Sequence, residues 1–265
     1  MTYPERISNL DFICRYLLDE CPQYLGAAIP DSLEEKQQLM RSLLNVRLPR
    51  SISDEFLRAQ DAELQQQLLD NGIFELPGTG LHEWQGDITR LKVDAIVNAA
   101  NSQMLGCFVP MHRCIDNAIH SAAGVQLRLA CNDLMQGGVE PTGNARITPG
   151  FNLPARFILH TVGPIVPTGR PLRTQEVQLA SCYRSCLNLA DEKGLESIAF
   201  CCISTGEFRF PNDLACEIAV STVRSWMATH PDSFVKTVVF NTFKDIDHEL
   251  YTSALAEGRG CDCRG

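Results

Sequence analysis

Cys107, His112 and Cys114 lie within eight positions of one another in the stretch GCFVPMHRC, Gly106 to Cys114. Two thiols and an imidazole are ligands that zinc favours. Three protein ligands with one position open is the arrangement of a catalytic zinc, whereas structural zincs are closed by a fourth. The stretch follows Asn98-Ala99-Ala100-Asn101 and runs into IDNAIHSAAG, which reads as a helix start. A metal beside such amide-bearing residues points to chemistry on a nucleotide-like substrate. A Cys-x4-His-x-Cys run can also arise without any metal in a chain of 12 cysteines.

The elements that must position these residues fall into two parts. Residues 1–76 read as a helical N-terminal extension. One helix covers Leu10 to Glu20. A second follows Pro30, with Asp31 or Ser32 as N-cap and Leu39, Met40, Leu43 and Leu44 on one face. A third starts at Ser53, carries Asp54 and Glu55 in its first turn and stops at Asn71-Gly72. The pattern changes at Pro77-Gly78-Thr79-Gly80, which sets a boundary between residues 1–76 and 77–265.

From Leu81 onward, apolar β-rich runs alternate with amphipathic helical stretches. Strands are expected at Leu81–Gln85, Ala95–Asn98, Ala145–Thr148, Phe157–Val162, Ile198–Ile203 and Thr237–Asn241. Helices are expected at Cys114–Ala123, Val125–Met135, Glu176–Glu192, Asn212–Thr229 and Ile246–Leu255. Runs such as IAFCCI lack polar alternation, so the sheet is covered on both faces and the class is α/β.

Composition narrows the function classes. The chain has 265 residues, 45% hydrophobic and 21% charged, with a formal charge of -9. That charge argues against a nucleic-acid partner, because neutralising phosphates needs clustered Lys and Arg. It leaves room for an anionic small ligand held by backbone N–H groups at a helix N-terminus. The N-terminus has no signal-peptide pattern, and no apolar run approaches the roughly 20 residues of a membrane span. A cytoplasmic protein without membrane contact is expected, its cysteines reduced. Cys182, Cys186, Cys201, Cys202 and Cys216 fall on apolar segments and read as small buried hydrophobes; Cys261 and Cys263, in a Gly-rich tail, are assigned nothing.

In open α/β sheets, ligands bind beyond the carboxyl ends of strands. Three loops share that position: Asn98 to Asn101, Ser204-Thr205-Gly206-Glu207-Phe208, and Asn241-Thr242-Phe243. Their small, amide, hydroxyl and aromatic residues suit sugar hydroxyls, phosphate oxygens and a stacked base.

The same residues carry a family resemblance. GDIT (Gly86–Thr89), VDAIVNAAN (Val93–Asn101), AIHSAAG (Ala118–Gly124), GNARITPG (Gly143–Gly150), ILHTVGP (Ile158–Pro164) and STGEFRFP (Ser204–Pro211) together resemble a macrodomain. The insertion GCFVPMHRCIDN resembles the zinc-dependent branch of that family. The resemblance implies a three-layer α/β/α sandwich around a central mixed sheet. It also implies removal of mono-ADP-ribose from modified proteins, with Asp or Glu ester linkages as the expected substrates. One zinc ion per chain would be held by Cys107, His112 and Cys114. A non-catalytic ADP-ribose reader and an O-acyl-ADP-ribose deacylase are the alternatives.

Within that resemblance, Asp87 is expected to accept from the adenine amino group, with Ile88 beside it; Asp87 capping a turn is the plainer reading. Phe243 is expected to stack on adenine, against the alternative of a core residue. The helix start at Cys114 and Ile115 faces the diphosphate, and Ser204, Thr205, Gly206, Glu207 and Phe208 wrap it, with Phe208 on the distal ribose. Asn101 is expected to be a catalytic residue that binds the distal ribose hydroxyls, and Asn98 to be structural. Asp116 is placed in the catalytic site, against the alternative that it complements the helix dipole. His120 is read as a satisfied core histidine and left out. The expected partners are ADP-ribose and a mono-ADP-ribosylated protein. The resemblance suggests a carrier protein modified by a sirtuin-type transferase, although no residue specifies it. The N-terminal helices are expected to bury their apolar stripes on the macrodomain itself.

Overall fold

The computed structural model describes residues 1–24, 26–76 and 78–257. Pro77 in the expected break, and Cys261 and Cys263 in the tail, lie outside them. Three helices come first: α1 (Tyr3–Asp19), α2 (Leu33–Val46) and α3 (Asp54–Asn71). Helix α1 begins earlier than the apolar pattern suggests, because the Glu5 carboxylate accepts from Thr2 N at 2.7 Å and starts the helix there. Ser32 and Ser53 cap α2 and α3, accepting from Glu35 N at 3.3 Å and Phe56 N at 3.2 Å. Helix α3 ends at Gly72, whose φ of +77° suits a glycine.

Two short strands, β1 (Phe74–Glu75) and β3 (Leu91–Lys92), pair in parallel. The main sheet contains β2 (Gly80–Gln85), β4 (Ala95–Ala100), β5 (Ala145–Pro149), β6 (Phe157–Val162), β7 (Ser197–Phe200) and β8 (Thr237–Thr242). Its order is β2-β8-β7-β4-β6-β5, parallel throughout except for antiparallel β5 at one edge. Five carboxyl ends therefore open on one rim. The helices are α4 (Ile115–Ala123), α5 (Val125–Met135), α6 (Arg173–Glu192), α7 (Asn212–Thr229) and α8 (Asp245–Glu257). Every residue of β8 is buried, as an apolar strand covered on both faces must be.

Strand β7 is shorter than the run Ile198–Ile203. The apolar character continues because Cys201 and Ile203 are buried, but the backbone turns, and Ser204 takes a φ of +66°. Cys182, Cys186, Cys201 and Cys216 are buried, as their apolar settings imply, and Cys202 is half-buried. Among the described residues, no helix is long and apolar enough to cross a membrane.

The N-terminal helices form their own apolar cluster, with Leu10, Ile13, Met40, Leu44 and Phe56, and it reaches Val125 of α5. Polar groups complete the seam: Gln60 accepts from Val125 N at 2.9 Å, and Gln65 donates to Asn152 O at 2.9 Å. Inside the three helices, fully buried Glu63 accepts from Arg6 Nε at 2.8 Å and Nη2 at 3.0 Å. It accepts as well from Gln37 at 2.9 Å and Gln67 at 2.8 Å. Removing one member of a buried ion pair strands the other charge. Glu63→Ala is expected to cost about 3–5 kcal/mol in urea unfolding; a loss below about 1 kcal/mol would show that Asp70, whose Oδ2 accepts from Arg6 Nη1 at 2.5 Å, alone satisfies Arg6.

Candidate functional site

The rim where β2, β4, β6, β7 and β8 end gathers the residues singled out from the sequence. After β4 the chain turns through Asn101. Its Nδ2 donates to Gly106 O at 3.1 Å and faces Asp116 Oδ2 at 3.4 Å, and its Oδ1 accepts from Gln103 N at 3.0 Å. Both amide hydrogens are thus engaged, one by the loop and one by α4, and Oδ1 accepts one hydrogen bond where it has two lone pairs.

The stretch Gly106–Cys114 then crosses to α4. Gly106 has a φ of +81°, and a Cβ there would lie 2.8 Å from the His120 ring, so both the backbone shape and the space require glycine. Sequence reasoning quoted Gly106 without giving it this role. Cys114 is the N-cap of α4, its Sγ accepting from Asn117 N at 3.4 Å.

Cys107, His112 and Cys114 converge, their donor atoms all lying within 4.8 Å of one another. Cys107 Sγ is 3.6 Å from His112 Nδ1. With Zn–S of about 2.3 Å and Zn–N of about 2.0–2.1 Å, tetrahedral ligands stand ~3.6 Å apart, so these donors fit zinc. Burial, with Cys107 and Asp116 nearby, pushes the Cys114 thiol up to about 12. A cation between the sulfurs is what would hold it as thiolate. His112 turns Nε2 toward Glu207 Oε1, 3.6 Å away, which brings the loop after β7 against the stretch Gly106–Cys114.

Asp116 is 5% exposed. Asn98 Nδ2 donates to its Oδ1 at 2.8 Å, and burial pushes its carboxyl up to about 6. Its Oδ2 faces Asn101 Nδ2 at 3.4 Å, so the buried carboxyl stands beside the asparagine at the start of α4. Asn98 is fully buried; its Nδ2 also faces His160 Nδ1 at 3.2 Å, and its Oδ1 has no hydrogen-bond partner among the described residues.

His120 corrects the sequence reading. It is buried, but neither ring nitrogen has a hydrogen-bond partner among the described residues, and burial holds it well below the usual histidine range. Its Nε2 stands 3.6 Å from Asp116 Oδ1. No periodicity reports that a core histidine lacks a partner, so the sequence carried no signal for it. His120, Cys131 and His160 form a second close group, but His160 already meets Thr148 Oγ1 at 2.9 Å and Asn98. Those contacts make it part of a hydrogen-bonded core.

Asp87 follows β2 and caps the turn Ile88–Arg90, its Oδ1 accepting from Thr89 N at 2.9 Å and Thr89 Oγ1 at 2.7 Å. The residue is exposed, and its Oδ2 makes neither of these bonds. The Ile88 side chain is 1% exposed and packs in the core beside Asp87. Phe243 is 78% exposed just after β8, which rules out the core alternative.

In the loop after β7, Ser204 Oγ is buried, and a Cβ on Gly163 would lie 2.1 Å from it. Gly163 is a packing requirement that the sequence reading missed. Thr205 Oγ1 donates to Cys202 O at 3.0 Å, and Phe208 O accepts from Val166 N at 2.8 Å, fixing the loop at both ends. Gly206 and Glu207 are exposed between them, and a side chain at Gly206 would meet open space. Ile115 is half-buried at the start of α4, beside the core.

Comparison with known proteins matches this geometry. The Macro domain family model aligns with residues 97–219. A protein-ADP-ribose hydrolase of Treponema medium is 53% identical over 256 residues, covering 92% of this chain and 97% of its own. One from Staphylococcus aureus (strain MRSA252) is 50% identical over 234 residues, covering 86% and 87%. Among solved structures, the Oceanobacillus iheyensis macrodomain with ADP is 38% identical with a TM-score of 0.60, spanning 68% of this chain and 92% of that one. The Trypanosoma brucei macrodomain in complex with ADP-ribose is 30% identical with a TM-score of 0.61, spanning 78% and 93%. The parallel rim with its five loops and the near-complete overlap with these relatives lead to one assignment: the chain belongs to the Macro domain family.

Proposed function

We propose that this protein is a zinc-dependent hydrolase that removes mono-ADP-ribose from modified proteins, with Asp or Glu esters as its substrates. The observation that carries the reading is the convergence of Cys107, His112 and Cys114 at the head of α4, on the rim that also bears Asn101, Glu207 and Phe243. The names of the Treponema medium and Staphylococcus aureus relatives support the hydrolase, and the Trypanosoma brucei complex supports ADP-ribose as the recognised group.

Exposed Phe243 offers its ring to the adenine, and the open Oδ2 of Asp87 accepts from the exocyclic amine. The first N–H groups of α4 and the loop Ser204–Phe208 meet the diphosphate from two sides, using backbone dipoles where the chain as a whole is acidic. Asn101, held by Gly106 O and Asp116, presents its remaining lone pair to a hydroxyl of the distal ribose. Asp116 keeps that amide in register. Cys107, His112 and Cys114 would hold one zinc ion per chain, leaving a coordination position for substrate. Zinc supplies Lewis acidity for polarising the scissile linkage. The partner is a mono-ADP-ribosylated protein, and a carrier protein modified by a sirtuin-type transferase is one of the chemistry's natural sources.

Cys114→Ala is expected to abolish release of ADP-ribose from an ester-modified protein while binding of free ADP-ribose persists, measured by mass spectrometry and calorimetry. Full turnover by a verified metal-free variant contradicts the reading. Tight binding with no release from any linkage by the wild-type protein would make it a reader. Preferential cleavage of free O-acyl-ADP-ribose would make it a deacylase.

Phe243→Ala is expected to weaken ADP-ribose binding by about 1–3 kcal/mol, the usual contribution of one aromatic stacked on a base. Unchanged affinity would remove Phe243 from the adenine site.

A further inference from the structure

We propose that Arg41 and Asn45 of the N-terminal helices, acting with Asn117, are positioning residues that clasp the metal-binding loop and set its affinity for zinc. The proposal rests on the zinc reading above and assigns a role to the helical extension, which that reading leaves without one.

The loop between Cys107 and Cys114 has little apolar anchorage. Val109 and Met111 are exposed, and Met111 adopts a φ of +56°, a conformation that a side-chain-bearing residue enters at a cost. Phe108 lies under the Arg128 guanidinium, 4.3 Å from it. The shape of the remainder is fixed by hydrogen bonds to its backbone. Asn117 Nδ2 donates to Val109 O at 3.0 Å. Met111 N donates to Asn45 Oδ1 at 3.0 Å, and Arg41 Nη2 donates to His112 O at 3.3 Å. Three backbone groups between the first and last proposed ligands are thereby held by side chains that are not ligands.

These side chains are themselves linked. Arg41 Nη2 donates to Asn117 Oδ1 at 2.9 Å, and Asn45 Nδ2 donates to Ser121 Oγ at 2.9 Å. Arg41 and Asn45 are one turn apart on α2, so a single helix face presents both. Asn117 in turn donates its backbone N–H to Cys114 Sγ. The clasp therefore runs from α2 through the loop backbone to one proposed ligand sulfur. Three donors in a short strained loop bind a metal tightly when the loop is pre-shaped, because ordering is then not charged against binding. Residues supporting ligands from outside the coordination sphere typically change metal affinity by about 10–100-fold.

The test measures zinc affinity of the full chain by competition with a chromophoric chelator, alongside thermal unfolding. Arg41→Ala and Asn45→Ala are expected to lose about 10-fold or more in zinc affinity. Asn45→Asp, which keeps the acceptor for Met111 N–H, is expected to retain more affinity than Asn45→Ala. Gln65→Ala is the control: it removes another bond between α3 and the sheet-bearing part but touches nothing in the loop. It should lower thermal stability without moving zinc affinity. Wild-type affinity in both alanine variants overturns the proposal, as does an equal loss in Gln65→Ala. If an alanine variant fails to fold, Arg41→Lys and Asn45→Asp decide by the same readout. Failure of the wild-type chain to bind zinc defeats the zinc reading instead, so the two failures are distinct.

Discussion

Cys114 caps α4 and stands among the three proposed metal donors, and the geometry of the rim depends on its position. As the N-cap of α4 it accepts from Asn117 N, which fixes where the helix begins and so where its free N–H groups point. As a proposed ligand its sulfur must also converge with Cys107 and His112. A thiol at a helix N-terminus is ordinarily acidified, yet burial pushes this one up to about 12. A cation held by the three proposed donors would reconcile the two tendencies. The start of α4 and the proposed metal site would then be one construction, placed beside the strand end that supplies Asn101.

Around that point, polar groups with few alternatives hold one another. Asn98 bonds Asp116 from the core, Asn101 faces it from the rim, and His120 packs on Gly106. A buried carboxyl with bonded partners is costly to disturb, because each partner left unpaired loses its compensation for desolvation. The opposite side of the rim is built for access, with Phe243, Glu207 and Gly206 exposed. A rigid half beside an open half can fix one part of a bound ligand while leaving another accessible.

Much of the fold was legible because local signals agreed with tertiary ones. Ser32 and Ser53 as caps, Gly72 as a stop, and the apolar runs of β6 and β8 each announced an element that formed. The start of α1 was not legible from apolar spacing, since a Thr2–Glu5 contact sets it. The end of β7 was hidden because Cys201 and Ile203 remain buried after the strand has turned. β1 and β3 are too short to leave a period. In the site, residues that bring functional groups at strand ends could be read, whereas Arg41 and Asn45 could not. They reach the loop from more than 60 positions away, and nothing in α2 distinguishes them from ordinary polar residues on its exposed face.

The central claim is that the three donors hold a metal on which ester cleavage depends. The most direct measurement strips the purified protein with a chelator, returns zinc in substoichiometric steps, and records bound zinc and the rate of ADP-ribose release at each step. Release is expected to rise in proportion to occupancy and to level off at one zinc per chain. Full release from the stripped protein, or saturation with zinc that leaves the rate unchanged, would contradict it.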